Sequence, residues 1–392
     1  MDRKYNIILI CPSEYWSTIE RTALRDGKIL TSEGHQVFYY LLQDSHLDLK
    51  VKSYGMKAFY HQGRMSTSLL QWTRLRSIPT IIEQNEIEIV QCYDLHMLWP
   101  ISFFLRKKSL VPLIFSHNVE IQKVYHNFWY RPLIARIDMT LLPNKEMIEG
   151  VVGSLRIPAH KIDFCGLGVG EERLYEEETN QPTSGHFLEN FNEDWLLGCY
   201  VGAHEDNIEY LKPLFQALAV LREQRPNDRG VKLVLISDKA WDQHLLTTEI
   251  GNYLVDTGLD QDVLFESKTP VIKVQRWMDL WIGLRSFEAI EDYTVTSLLG
   301  GIPVVMTRST ASIELLRQYP KIAETYKRND SRELRCKIMD LMSNFKDSQK
   351  ALKMAYSDLV KQFGVTTYKE QLLHVYDKSV EKRSRFYRAR NP

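Results

Sequence analysis

Residues 284–305 carry the densest grouping of chemically useful side chains in the chain. They read Leu-Arg-Ser-Phe-Glu-Ala-Ile-Glu-Asp-Tyr-Thr-Val-Thr-Ser-Leu-Leu-Gly-Gly-Ile-Pro-Val-Val. A polar, acid-bearing loop gives way to a short helix, a Gly-Gly helix end, and a buried strand expected over 302–306. In an α/β protein that order puts Glu288 and a helix N-terminus at the mouth of a sheet. Free N–H groups of such a helix favour an anion, usually a phosphate. A carboxylate beside an anion site suits a ligand with both hydroxyls and phosphates, such as a nucleotide sugar. An ordinary loop acid beside a strand–helix unit is the competing reading, and the segment alone leaves it open.

The elements that would position these residues alternate strand and helix, which points to parallel sheets. Strands are expected over 6–11, 36–41, 88–92, 111–116 and 139–143, with helices over 17–32 and 69–84. Gly166-Leu-Gly-Val-Gly170 closes this half as a turn cluster. Residues 171–194 read as an acidic linker without core periodicity. The pattern restarts with strands over 195–201, 231–236, 263–266, 281–283 and 302–306. Helices are expected over 207–224, 332–345, 348–363 and 367–383. The fold class is therefore α/β with two doubly wound domains. The first spans 1–170, the linker 171–194 and the second 195–366, with a C-terminal helix and basic tail over 367–392.

Composition narrows the function classes. A chain of 392 residues exceeds one ordinary core. Its 44% hydrophobic content is globular, and a net charge of +0 gives no support to nucleic acid as a partner. Cys11, Cys92, Cys165, Cys199 and Cys336 are odd in number and lack metal-ligand spacing, which fits a reducing cytoplasm. No stretch reaches the roughly 20 apolar residues of a membrane helix. The run Trp99-Pro-Ile-Ser-Phe-Phe-Leu-Arg-Lys-Lys108 has two readings. One is peripheral contact with the inner face of a membrane. The other is a core helix with a basic C-terminal end.

The segment around Glu288 resembles the donor-site loop of GT-B glycosyltransferases, family 4 in particular. Glu288 matches the first acid of that loop, and Gly301-Ile-Pro-Val-Val305 matches its end. Glu314 falls where the family has another helix-start Glu. Further weak matches are Gly34-His35-Gln36-Val37, Ser116-His117-Asn118, and the strand and Gly-Val turn running from Lys161-Ile162 through Gly168-Val169-Gly170. Their order covers most of the chain. The resemblance implies two Rossmann-like domains facing a central cleft, with the C-terminal helix crossing back to the first. It implies a retaining glycosyltransferase that moves a sugar from a nucleotide-sugar to a glycan, lipid-linked glycan or protein acceptor. Glu288 would hold sugar hydroxyls, and His117 would contact the transferred sugar. No cofactor and no metal is expected beyond the nucleotide-sugar co-substrate.

Departures from the family keep a second reading open. The position of the second acid, a ribose contact in the family, is Thr296, followed by Ser297. The loop after the first strand, Cys11-Pro-Ser-Glu-Tyr-Trp-Ser17, lacks a Gly-Gly pair. After Gly202 the run Ala203-His204-Glu205-Asp206-Asn207 lacks the Arg and Lys that serve the diphosphate. Arg285, Arg308, Lys273 and His204 are the candidate replacements, and a guanidinium can clamp a phosphate bidentately. The alternative is a catalytically inactive subunit that binds a glycan or a partner protein, such as another glycosyltransferase subunit.

Overall fold

The computed structural model describes residues 3–61, 76–105, 110–117, 131–169, 191, 193–202, 208–224, 228–237, 249–284 and 290–390. These form two compact units, one of Met1–Gly166 with Thr367–Pro392 and the other of Leu167–Thr366. Of the linker expected over 171–194, residues 171–190 and 192 lie outside the described residues.

Unit 1 is built on seven strands: β1 (Asn6–Ile10), β2 (Gln36–Leu42), β3 (Lys57–His61), β4 (Ile89–Cys92), β5 (Leu113–Ser116), β6 (Met139–Leu142) and β7 (Ile162–Phe164). Their order is β3-β2-β1-β4-β5-β6-β7, and every pairing is parallel. The inner strands are continuous apolar runs because helices cover both faces. Ile7, Ile8, Leu9 and Ile10 are fully buried. Helix α1 (Thr18–Ser32) starts at a capping box in which Ser17 N donates to Glu20 at 2.7 Å. It is followed by α2 (His46–Ser53), α3 (Ser77–Gln84), α4 (Leu95–Leu105), α5 (Arg131–Arg136) and α6 (Ile148–Leu155). In α4, Met97, Leu98, Ile101 and Leu105 are buried, so its described part is a core helix; residues 106–109 lie outside the described residues.

Unit 2 holds β8 (Trp195–Tyr200), β9 (Val231–Ile236), β10 (Val263–Glu266), β11 (Leu280–Gly283), β12 (Val304–Thr307) and β13 (Ala323–Tyr326). They pair in the order β10-β9-β8-β11-β12-β13, again all parallel. Its helices are α7 (Ile208–Gln224), α8 (Glu249–Asp256), α9 (Val271–Gln275), α10 (Asp292–Leu299), α11 (Thr310–Gln318), α12 (Ser331–Ser343) and α13 (Phe345–Phe363). Gly198 is required inside β8. A Cβ there would stand 2.6 Å from Met278 and 2.8 Å from the fully buried Trp281 ring. Helix α10 ends as its sequence implies: Gly301 takes φ +77, and Ile302 N donates to Ser297 O at 2.9 Å.

The last helix, α14 (Val365–Arg390), belongs to unit 1 from Thr367 onward, as the fold resemblance implies. Tyr5 donates to Asp377 at 2.6 Å, and Lys378 pairs with Asp163 at 2.8 Å. Deeper in, Asp26 of α1 accepts from Gln91 Nε2 at 2.9 Å, Tyr93 Oη at 2.6 Å and Tyr368 Oη at 2.5 Å. Tyr376 Oη donates to the carbonyl oxygen of the same Gln91.

Three details differ from the sequence expectation. The strand expected over 302–306 begins at Val304, because Pro303 has no N–H and only its carbonyl joins the ladder, accepting from Trp281 N at 3.0 Å. The second sheet gains β13, and the first gains β3; both are edge strands, short and partly polar, and carry little apolar signal. The short helices α2, α5, α6, α8 and α9 also went unread, being too brief to show a helical period.

Candidate functional site

In unit 2 the chain winds one way from β8 through β9 to β10, and the other way from β11 to β13. The reversal falls between β8 and β11, the place where open parallel sheets bind ligands beyond their carboxyl ends. Two segments reach it. One is Val201-Gly202 after β8, anchored by Val201 N donating to Ile236 O at 2.8 Å. The other follows β11 through buried Leu284 and Ile290 into α10. Glu288 and Arg285 sit on this second segment and His204 on the first. All three lie outside the described residues.

The start of α10 is charged in a way the sequence order alone understated. Glu291 stands at the N-cap and Asp292 at the first helical position, 8% and 1% exposed. Asp292 accepts from Tyr293 N at 3.1 Å. The first turn of this helix therefore already carries two carboxyl side chains of its own, one of them bonded to a backbone N–H of that turn. Tyr293 packs its ring 4.6 Å from that of Tyr200 at the end of β8, and both rings belong to the core of unit 2.

Thr296 and Ser297 lie one turn further on, 1% and 0% exposed. Thr296 Oγ1 donates back to Asp292 O at 2.9 Å. Ser297 Oγ donates to Tyr293 O at 3.1 Å and accepts from Gln275 Nε2 at 2.8 Å. Both hydroxyls thus tie α10 to itself, and that of Ser297 also ties it to α9. Gln275, which also donates to Tyr293 O at 2.8 Å, is a positioning residue that sequence reasoning missed. Its only sequence signal was an amide among the apolar residues of a five-residue helix.

Arg308 follows β12, and its backbone N donates to Tyr326 O at 2.7 Å. Its guanidinium is 45% exposed and bonded to Glu333 of α12. Glu333 also accepts from Lys327 N at 2.7 Å, so a phosphate would have to draw Arg308 from an existing partner. Lys273 lies on α9, half-buried. Glu314 on α11 accepts from Gln318 at 3.0 Å and has Arg317 3.7 Å away.

His117 belongs to unit 1, directly after β5, and is 7% exposed. Its backbone N donates to Leu141 O at 3.0 Å, and its ring lies 5.2 Å from Phe115. Nε2 has no hydrogen-bond partner among the described residues. Burial pushes the imidazole down to about 4, so it is neutral at physiological pH. A neutral ring can donate or accept one hydrogen bond without bringing charge to a bound hydroxyl.

The sign of the linkage is that of a depressed pKa. The contribution to stability is fully present above the ordinary value of 6.5 and is lost as pH falls through about 4. The loss amounts to about 3 kcal/mol. Thermal denaturation from pH 7 to pH 4 is expected to show this acid limb in the parent chain and a shallower one in His117→Gln. Identical profiles would mean that His117 is not the buried neutral group described.

Unit 1 has its own reversal point, between β1 and β4. Asp94, two residues past β4, accepts from His96 N at 2.7 Å. Burial pushes its carboxyl up, and the nearby Glu20 adds to that. An acid directly after a buried strand was the signal, and it went unread. Among the described residues no group of three or more His, Cys, Asp or Glu stands ready for a metal. No described helix is long and apolar enough to cross a membrane.

No family model and no curated protein matches this sequence. Solved structures do match in fold. A glycosyltransferase from Rickettsia africae superposes with a TM-score of 0.78 at 13% identity, covering 96% of this chain and 99% of that one. Anabaena Alr3699/HepE in complex with UDP-glucose gives 0.73 at 14% identity, covering 95% and 100%. The sucrose-phosphate synthase of Thermosynechococcus elongatus gives 0.67 at 13%, covering 96% and 99%. At such identities the likeness establishes the fold, which is that of the GT-B glycosyltransferases.

Proposed function

We propose that this chain of GT-B fold transfers a sugar from a nucleotide-sugar donor, with retention of anomeric configuration, to a glycan, lipid-linked glycan or protein. The observation that carries the reading is the reversal of strand order between β8 and β11. It supports a ligand-binding mouth there, with Gly202 following β8 and Glu288 lying in sequence between β11 and α10. HepE, solved with UDP-glucose, supports a UDP-sugar as the donor class.

In this reading Glu288 binds sugar hydroxyls and orients the ring, which is positioning work. Cleavage of the sugar–phosphate bond builds positive charge on the ring and negative charge on the leaving diphosphate. Arg285, His204 and the backbone N–H groups near Gly202 and α10 stabilise that leaving group, with Arg308 joining if it leaves Glu333. His117 offers its neutral ring to a sugar hydroxyl. No metal is assigned. The free cysteines, four of them buried, suit a reducing cytoplasm.

One observation favours a second reading, a non-catalytic subunit that binds a glycan or a partner protein. Glu291 and Asp292 place two carboxyl side chains in the first turn of α10, the turn a diphosphate would meet. The discriminating experiment is Glu288→Ala assayed for release of the nucleotide diphosphate. Loss of turnover by about a hundredfold with an unchanged melting temperature supports transfer. Undiminished turnover would remove Glu288 from the site.

A further inference from the structure

Two segments reach the reversal point of unit 2, and one side chain joins the elements that carry them. Tyr210 lies in the first turn of α7, the helix that follows the Gly202 segment. Its hydroxyl donates to Leu284 O at 3.2 Å. The registered pairs of β11 end at Gly283, so Leu284 is where the chain leaves the sheet, and Arg285 follows it directly. Leu284 is buried, and a buried carbonyl beyond the ladder needs a donor. The guanidinium of Arg328, on the exposed turn after β13, lies 5.3 Å from the centre of the Tyr210 ring. Buried Leu214, Tyr326 and Leu334 close the inner side of the small cleft that Tyr210 and Arg328 share.

Three roles compete for Tyr210. Packing alone would be served by a purely apolar side chain, as at the buried positions Leu211, Leu214, Phe215 and Leu218 of the same helix. Tyr210 is instead half-buried, and its hydroxyl meets a carbonyl. A ligand stacked on the ring would meet Arg328 already lying over it. An anchor uses the whole arrangement, because the hydroxyl fixes the carbonyl while the guanidinium covers the ring. We propose that Tyr210 is a positioning residue for the nucleotide-sugar site. It holds the carbonyl from which the chain departs toward Arg285 and Glu288, and it ties that departure to the helix after Gly202. The role rests on the sugar-transfer reading, whereas the anchor itself does not, so the two can fail separately.

The test compares the full parent chain with Tyr210→Phe and with Leu218→Ala, a buried core residue of the same helix. Calorimetric titration with UDP-glucose should show about tenfold weaker binding in Tyr210→Phe, the upper range for one hydrogen bond. Hydrogen exchange should quicken in the peptide from Leu284 to Glu288. Leu218→Ala should melt lower yet keep parental affinity, because a chain still folded at the assay temperature binds as tightly. Parental affinity in Tyr210→Phe would overturn the proposal. So would unchanged exchange, or equal weakening in Leu218→Ala. A parent chain that does not bind UDP-glucose would remove that donor, and exchange would then decide alone. Quickened in Tyr210→Phe, it upholds the anchor; unchanged, it overturns it.

Discussion

Replacing Asp26 with alanine is expected to destabilise unit 1 by about 3 kcal/mol or more and to loosen α14 first. The carboxylate is fully buried and accepts from Gln91, Tyr93 and Tyr368. Alanine leaves all three donors buried without that acceptor, and each orphan costs about 1–3 kcal/mol, not additively. An opposing term exists. Burial raises the Asp26 carboxyl above its ordinary range, so the charged form carries a desolvation cost that alanine removes. The orphaned donors set the sign, because the Tyr93 and Tyr368 hydroxyls stay buried and alanine offers them no acceptor.

Asp26→Asn keeps one acceptor oxygen and should cost less than alanine. Hydrogen exchange is the right readout, since a two-unit chain need not unfold in one step. Amides of α14 should lose protection in Asp26→Ala while those of β8 and β9 keep theirs. Unchanged α14 protection would mean that the exposed ion pairs, not this buried group, hold the helix.

Neutralising the start of α10 is expected to tighten nucleoside diphosphate binding by about tenfold, or about 1.4 kcal/mol. Glu291→Gln with Asp292→Asn removes two charges from the helix end that would face the diphosphate. The new amide oxygen at position 292 can still accept from Tyr293 N, as the Asp292 carboxylate does. The same change forfeits about 0.3–1 kcal/mol per acid of helix-dipole stabilisation, so the variant should bind better and melt slightly lower. Calorimetric titration with UDP measures the first effect and a thermal scan the second. A variant that melts lower without binding tighter would show that the phosphates do not approach this helix.

What could be read from the sequence follows from what each element had to bury. Strands β1, β4, β8 and β12 lie inside their sheets, so their apolar runs announced them; β3 and β13 lie at edges and did not. The Gly300–Gly301 helix end was legible because the chain there needs a positive φ. Glu291 and Asp292 were visible as acids but read as loop residues. Only the helix boundary shows that they stand at its N-terminus. The latch of α14 was beyond reading, since Asp26 and Tyr368 are 342 residues apart and neither type signals the other. The hydroxyls of Thr296 and Ser297 invited a ligand role, yet a helical residue with a hydroxyl can always bond the carbonyl one turn back.

The measurement that bears most directly on sugar transfer is calorimetric titration of the parent chain with UDP, GDP, ADP, TDP and CMP, followed by their common sugars. Saturable binding of one nucleotide and its sugar, weakened in Arg285→Ala and in Glu288→Ala for the sugar form only, is the expected result. Absence of binding to every nucleotide at millimolar concentration would contradict the transferase reading and leave the non-catalytic subunit in its place.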